Sequence, residues 1–364
     1  MSKKNASKFG DSIDGQMIKQ LKAMYSDYLN SPMIYHASKF WENLNKLNII
    51  WLEKDGLNNF KRSVNNNYFN WAVKIYSPYF INLLKMSLNK NFIKFRVFLN
   101  LLFVNIPEMN YRTYITDEVK PGFLNRKIYA IYLYLLYMYV LSVDKLGLFK
   151  VVEEPSVGNP ITVKIDSKRI SQDICNSYLE YFYIRKSLED NFKKITRIVE
   201  IGGGYGRLGY VFNKFHSKEI KYIFVDIPPA LHIAQWYFDQ VTPDIQKFKY
   251  REFKNFSDIE IEFGESSICF LLPHQMTLLP DKYADLIINI SSLHEMTIPQ
   301  INHYYELINA KGIYFYTKQW LFWENPEDNI SVPAVIYPTN PQWLLLTARI
   351  NPIHINFFEA IFKL

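Results

Sequence analysis

The run with the clearest chemical meaning is Arg197 to Phe212, RIVEIGGGYGRLGYVF. An apolar stretch typical of a buried strand leads into the glycines between Gly202 and Gly206 and then into a helical pattern. Glycine is needed where the backbone turns tightly and a ligand approaches without interference from a Cβ atom. The N-terminus of the following helix offers free N–H groups to an anion or a carboxylate. The sequence therefore predicts a ligand-binding loop between a strand and a helix.

Two cofactors fit the spacing of these glycines. Gly204, Gly206 and Gly209 satisfy the pattern G-x-G-x-x-G, which binds dinucleotides. The pattern E-x-G-x-G-x-G, typical of methyltransferases that bind S-adenosylmethionine (SAM), is matched by Glu200, Gly202, Gly204 and Gly206. In either case Asp226, which follows the next apolar run, is placed to accept hydrogen bonds from ribose hydroxyls, with Ile227 beside it.

Glu200 favours SAM over a dinucleotide. An ionised carboxyl at the end of a buried strand costs several kcal/mol unless it is paired or faces a ligand. A dinucleotide-binding fold has no use for this acid, whereas a methyltransferase uses it near the cationic methionine end of SAM. We therefore predict SAM as the cofactor. An NAD-dependent oxidoreductase and a glycine-rich turn without a ligand are the alternatives.

Turns after two later apolar runs complete the predicted cofactor site. The segment Ser267 to Met296 contains a strand-like run, a polar turn and a second strand-like run that opens with Asp285. In a methyltransferase with this order, the turn after the third strand holds the adenine. The adenine amino group would then form a hydrogen bond with His274, Gln275 or a backbone carbonyl. Ser291, in the turn after the following strand, is assigned to the same site.

A general base is predicted at His294 or Glu295, because the carboxyl end of a strand in an open α/β sheet faces the ligand crevice. Histidine is the natural base near neutral pH, and a positioned base contributes about 10²–10⁴-fold in rate. We favour His294, with Glu295 orienting it or acting as the base itself. A packing or capping role for His294 is the alternative. An imidazole base predicts activity that rises with pH around its usual pKa of about 6.5.

Two further groups of residues are candidates for binding the substrate. Lys61, Arg62 and Tyr68 could hold a phosphate and stack on a sugar, with plain helix packing as the alternative. A helix predicted from Ile170 to Lys186, with Ser171 as its N-cap, carries the polar residues Gln172, Asp173, Asn176 and Glu180. This helix is predicted to cover the cofactor or substrate site. A solvated surface face is the alternative.

The elements that position these residues fall into three parts. Residues 1–150 repeat apolar residues at helical spacing and are predicted to be a helical region that binds the acceptor or forms an oligomer. Residues 151–194 form a connector and the covering helix, and residues 195–364 alternate strands and helices. The run from Trp343 to Lys363 predicts an antiparallel hairpin. We therefore expect an α/β, Rossmann-like SAM-binding domain with a large N-terminal helical domain and a C-terminal β-hairpin that completes the sheet.

Composition narrows the class of protein. With 49% hydrophobic and 21% charged residues, the chain is globular rather than disordered. Its net charge of +7 suits a phosphate-bearing partner, but no concentrated basic stripe indicates nucleic acid. The longest apolar run, Ile128 to Leu141, is shorter than the ~20 residues of a membrane span. A polar start without a signal peptide and two distant cysteines predict a reducing, cytoplasmic setting.

Beyond these patterns, the chain resembles the bacterial sugar O-methyltransferases of the SAM-dependent, class I Rossmann-like type. The resemblance rests on the blocks FKRSVNNNYFNW, EPSVGNP, ISQDICNSYLEY, VEIGGGYGRLGYVF and INISSLHEM. It implies methylation of a sugar hydroxyl in surface-polysaccharide, such as capsular polysaccharide, or glycosylated-metabolite biosynthesis, on a nucleotide-activated heptose or deoxyhexose or on the polymer. The chain departs from its relatives at His274 and at Leu293-His294, where they often have an aromatic residue and a glutamine.

Methylation of nucleic acid or protein is a further alternative. Methylation of base amines usually requires an Asn/Asp-Pro-Pro-aromatic turn after the fourth strand, and this chain has Asn289-Ile290-Ser291-Ser292 there. Nucleic acid is therefore not expected as a partner, whereas a homo-oligomer is compatible with the sequence. A His/Glu/Asp cluster could hold a divalent ion, although no ligand spacing demonstrates one.

Overall fold

A central eight-stranded sheet organises the protein, as seen in a computed structural model that describes residues 13–64, 75–89, 104–113, 118–217 and 219–364. Within these ranges the α-helices are α1 (Ile13–Asn30), α2 (Lys39–Asp55), α3 (Pro78–Asn89), α4 (Phe123–Val143), α5 (Gln172–Leu188), α6 (Arg207–His216), α7 (Ala230–Val241), α8 (Glu260–Glu265) and α9 (Ile298–Lys311). The strands are β1 (Val163–Ile165), β2 (Lys168–Ile170), β3 (Arg197–Ile201), β4 (Lys221–Val225), β5 (Lys247–Phe248), β6 (Ile268–Leu271), β7 (Ala284–Ile290), β8 (Gly312–Trp320), β9 (Phe322–Asn325), β10 (Ile330–Pro333), β11 (Leu344–Ile350) and β12 (Phe357–Lys363).

The large sheet has the strand order β11-β12-β8-β7-β3-β4-β6-β5. Strands β3 to β8 pair in parallel, whereas β12 pairs antiparallel with both β8 and β11. β7 is buried along its whole length, as expected for the continuous apolar run of a central parallel strand. The expected Rossmann-like sheet with a terminal hairpin is confirmed. The chain order reverses on either side of β3, and ligands bind at such a switch point.

Helices cover both faces of this sheet. Ile198 of β3 belongs to the same apolar core as Leu136 of α4, on the face that also receives α5, α6 and α7. Val199, the next residue of β3, points to the opposite face and shares a core with Ile308 of α9. The alternation follows from the two-residue period of a strand. The sheet is therefore the middle layer of three.

The N-terminal region is helical in its described part. The long apolar run Ile128 to Leu141 lies in α4, where most of its side chains are buried inside the protein. No helix in the described ranges is both long enough and apolar enough to cross a membrane. Between α2 and α4, the described residues include the helix α3, in line with the helical spacing of residues 1–150.

Candidate active site

A cleft opens at the carboxyl ends of β3, β4 and β7, where the strand order reverses. It has about 1040 Å³ of empty space, part of which is open to solvent. Its walls come from the loop after β3, the residues after β4, the turn after β7 and residues 35–41 of the N-terminal region. Six residues predicted to bind the cofactor line it: Glu200, Gly202, Gly204, Asp226, Ile227 and Ser291.

The loop after β3 adopts backbone conformations and close contacts that exclude side chains. Gly202 has a φ of 71°, and a Cβ atom there would overlap the hydroxyl group of Ser292. Gly206 has a φ of 88°, and a Cβ atom there would collide with the ring of Phe238. Gly206 directly precedes α6, so the loop ends at a helix N-terminus. Its backbone can therefore approach a ligand closely.

The carboxyl of Asp226 lies at the end of β4 and lines the cleft. Its Oδ2 accepts a hydrogen bond of 2.7 Å from the N–H of Gly204, and its Oδ1 accepts one of 2.7 Å from the N–H of Ile227. Burial raises the pKa of Asp226 to about 7, and the two N–H donors oppose this shift. Each carboxylate oxygen can accept a further hydrogen bond, so Asp226 can bind ligand hydroxyls while it holds the glycine loop.

Glu200 ends the neighbouring strand β3 and also lines the cleft. Its side chain is 3% exposed, and its Oε2 accepts a hydrogen bond of 2.8 Å from the hydroxyl of Tyr222. Burial raises the pKa of Glu200 to about 8. This is the environment of an acid that becomes charged when a cation binds beside it.

The turn after β6 contributes less than predicted. Pro273 lines the cleft, but both ends of the Gln275 amide bond to the backbone: Oε1 accepts from Leu272 N, and Nε2 donates to Arg251 O, both at 2.9 Å. His274 lies with its Nε2 3.4 Å from an Asp27 carboxyl oxygen, outside the cleft lining. Neither Gln275 nor His274 lines the cleft, so this placement does not support their predicted contacts with adenine.

Glu295, rather than His294, faces the cleft. Glu295 Oε2 accepts a hydrogen bond of 2.7 Å from Nε1–H of Trp41. Burial raises the pKa of Glu295 to about 8; the Trp41 bond opposes this shift, and the charge of Asp226 adds to it. His294 is buried, its Nδ1 lies 3.0 Å from Oε1 of Gln319, and burial lowers its pKa to about 4. The expectation that His294 titrates near 6.5 is wrong because the ring is removed from water.

Residues 35–41 form a wall of the cleft that the sequence analysis did not single out. Gln300, at the start of α9, donates from Nε2 to the carbonyls of Ile34 and His36, which are 266 and 264 residues away in the chain. Five residues of this segment line the cleft: Tyr35, His36, Ala37, Ser38 and Trp41. Because these contacts join distant parts of the chain, no local pattern could have indicated them.

The polar residues of α5 are buried beneath the glycine loop instead of covering the cleft. Asp173 accepts a hydrogen bond of 2.8 Å from the hydroxyl of Tyr205. Glu180 binds Arg207 at 2.6 Å and Lys318 at 2.8 Å. Burial alone would raise the pKa of Glu180, but the charges of Arg207 and Lys318 outweigh it and lower the value to about 2. The predicted role in covering the cleft and the alternative of a solvated surface face are therefore both wrong for Asp173 and Glu180. Asp173 positions Tyr205, and Glu180 positions Arg207.

The other two polar residues predicted on this helix have separate environments. Gln172 is buried beside the N-cap Ser171, whose hydroxyl accepts a hydrogen bond from Ile174 N as predicted. Asn176 lines a second cavity, away from the cleft. Neither residue contacts the predicted cofactor site.

Lys61 and Arg62 do not form a phosphate site. Lys61 is 1% exposed, pairs with Glu154 and lies over the rings of Tyr205 and Tyr237 at 4.6 and 4.5 Å from their centroids. Arg62 donates from Nε to the carbonyl of Asn159. The predicted phosphate contact is wrong for Lys61, because its ammonium is buried and paired. The third member of the set, Tyr68, lies outside the described residues.

No group of three or more His, Cys, Asp or Glu side chains is arranged to hold a metal ion in the described part of the chain. Cys175 and Cys269 are both buried and unpaired.

No family model and no curated protein matches the chain. Solved structures with a similar fold include a protein from Pyrococcus horikoshii, with 13% identity over 60% of this chain and 98% of that one and a TM-score of 0.33. A SAM-dependent methyltransferase from Aquifex aeolicus has 12% identity over 53% of this chain and 100% of that one, with a TM-score of 0.31. Magnesium protoporphyrin IX methyltransferase from Synechocystis, solved with bound SAM, has 10% identity over 53% of this chain and 81% of that one, with a TM-score of 0.31.

Proposed function

We propose that this chain is a SAM-dependent methyltransferase that transfers a methyl group to a hydroxyl of a sugar. The observation that supports this most directly is the pair of acids at the ends of β3 and β4. Glu200 and Asp226 line one cleft, with the glycine loop between them. Asp226 is placed for the ribose hydroxyls, and Glu200 for the ammonium group at the methionine end of SAM.

Charge favours SAM over NAD. The described lining of the cleft includes the carboxyls of Glu200, Asp226 and Glu295, whereas its one guanidinium, on Arg207, is paired with Glu180. The pyrophosphate of NAD would bring negative charge towards these acids, but the sulfonium and ammonium of SAM bring positive charge. Gly209 packs against the ring of Phe224 in the manner of the third glycine of a dinucleotide motif, so NAD is the rival to test.

Glu295 is the base in this proposal. SAM, when bound, would supply a methyl group on a cationic sulfur. The acceptor oxygen would take this methyl group, and the sulfur would leave as a neutral thioether. The carboxylate of Glu295 takes the proton of the attacking hydroxyl, and its hydrogen bond from Trp41 keeps one oxygen in a fixed position. A nearby sulfonium would favour the ionised form of Glu295. The base would therefore be charged when the methyl donor is in place.

Residues 35–41 form the acceptor side of the cleft in this proposal, which extends the acceptor-binding role expected for residues 1–150. Tyr35 and Trp41 provide aromatic faces on which a sugar ring can stack. The hydroxyl of Ser38 is buried, lines the cleft and has no hydrogen-bond partner among the described residues. It can therefore bind a hydroxyl of the acceptor. The resemblance to sugar O-methyltransferases supports the same choice of acceptor.

Calorimetric titration of the full chain with SAM, S-adenosylhomocysteine and NAD tests the cofactor. We expect both sulfur compounds to bind at one site and NAD to show no measurable heat. A thermal-shift series should agree, since only a ligand that binds the folded state raises the melting temperature. Saturable binding of NAD without binding of SAM would overturn the proposal.

A further inference from the structure

A second cavity lies apart from the cofactor cleft, between α5 and the hairpin of β11 and β12. It has about 2220 Å³ of empty space, open to solvent. Its described lining comes from α4, α5, the segments that follow these two helices, β8, β11 and the turn between β11 and β12. None of these lining residues belongs to the cofactor cleft. The cavity is therefore a separate candidate for ligand binding.

The lining of this cavity carries a net positive charge. Its described cations are Lys145, Arg185, Lys186, Lys193, Lys318 and Arg349, and its acids are Glu180 and Glu189. Behind the lining, Glu359 binds Arg349 and Asp190 binds Lys193. Six cations thus face four acids, an excess of 6 − 4 = 2 positive charges.

An unused hydrogen-bond donor also lines the cavity. Asn176 is 4% exposed, and its Nδ2 is buried with no hydrogen-bond partner among the residues that the structure describes. Buried polar groups in folded proteins almost always have a partner. A ligand oxygen in the cavity would supply the missing acceptor.

We propose that this cavity binds a small anionic ligand that carries a phosphate or pyrophosphate group. Asn176 donates to one of its oxygens, and Arg185, Lys186 and Lys145 neutralise its charge. Guanidinium groups bind phosphate oxygens in pairs, and ammonium groups add charge without fixed geometry. A cavity lined by one sign of charge concentrates ligands of the opposite sign. The site does not depend on which cofactor occupies the cleft.

Calorimetry with inorganic pyrophosphate and the full chain tests this site. We expect one saturable site that weakens as salt is added, because the charges at its rim are screened. The double variant Lys145→Gln/Lys186→Gln should lower the affinity by about tenfold or more, and Asn176→Ala should also lower it. A matched variant with the same change in charge, Lys164→Gln/Lys254→Gln, alters exposed lysines outside the cavity and should bind as the native chain does.

Two results would overturn the site. One is an equal loss of pyrophosphate affinity in the cavity variant and the matched variant, when circular dichroism shows that both are folded. This result would indicate non-specific attraction by the net charge. The other is displacement of pyrophosphate by saturating S-adenosylhomocysteine, which would place the anion in the cleft. Failure of S-adenosylhomocysteine to bind in a separate titration would count against the proposed cofactor alone.

Discussion

Nε2 of His294 lies 3.6 Å from Oε1 of Glu295, whereas Trp41 bonds to the other carboxyl oxygen, Oε2. Gln319 donates from Nε2 to Oδ1 of Asn289 at 2.6 Å, so its Oε1 is the acceptor for His294. His294 therefore carries its proton on Nδ1, and the lone pair of Nε2 faces Glu295. We infer that Glu295, which lines the cleft, meets the acceptor and that the neutral ring of His294 packs behind it.

Replacing Glu295 by Gln should remove the base while the shape of the cleft is retained. We expect kcat to fall by about 10²–10⁴-fold, with little change in the affinity for S-adenosylhomocysteine. His294→Ala should lower kcat less, because the imidazole does not line the cleft. Glu327→Gln is the control, since Glu327 bonds Asn43 at the surface and lies outside the cleft lining. Near-native turnover of Glu295→Gln would remove this carboxyl from the chemistry.

The pH dependence of kcat should follow Glu295 instead of an imidazole. A base must be ionised, and burial raises the pKa of Glu295 to about 8. A bound sulfonium favours the ionised form, so activity should rise with pH through an inflection no higher than about 8. Trp41→Phe removes a hydrogen bond that favours the ionised form and should move the inflection to higher pH. Steady-state profiles of both proteins with saturating SAM measure this shift. An inflection that stays near the usual histidine value of about 6.5 in both would contradict the assignment.

Asp226→Ala should weaken SAM binding by about tenfold or more, because hydrogen bonds to a charged group contribute about 1.5–3 kcal/mol. The variant also removes the acceptor for Gly204 N and so loosens the glycine loop. Calorimetry gives the dissociation constant, and Asp239→Ala, which breaks an ion pair with Lys249, serves as the control. Unchanged affinity in a folded Asp226→Ala protein would exclude Asp226 from the site.

Stability without ligand should fall as pH rises. Burial raises the pKa of Glu200 from 4.5 to about 8, so the folded protein binds more protons than the unfolded chain between these values. The resulting contribution to stability is present below the lower value and is lost as pH rises through the higher one. Urea unfolding at several pH values in this window measures the free energy of unfolding. This free energy should decline less steeply with pH for Glu200→Gln, whose side chain stays neutral. Equal slopes for the two proteins would indicate that Glu200 is ionised in the folded state.

The sequence predicted those elements whose pattern is local. The apolar stretch before the glycines is the strand Arg197–Ile201, and the terminal hairpin completes the sheet as expected. Two errors have long-range causes. The hydrogen bond from Trp41 to Glu295 joins residues that are 254 positions apart, so no local pattern could predict the orientation of the base. The acids of α5 looked too polar for a core, but cations from two other elements neutralise Glu180 there.

Transfer of an isotopically labelled methyl group from SAM is the most direct test of the central claim. The native protein and Glu295→Gln would each be incubated above pH 8, where the carboxyl is ionised, with a panel of nucleotide-activated sugars, and the products read by mass spectrometry. We predict a label on a sugar oxygen for the native protein and a rate lower by about 10²–10⁴-fold for the variant. Labelling of a nucleic acid or a protein with no labelled sugar, or equal rates for the two proteins, would contradict the account.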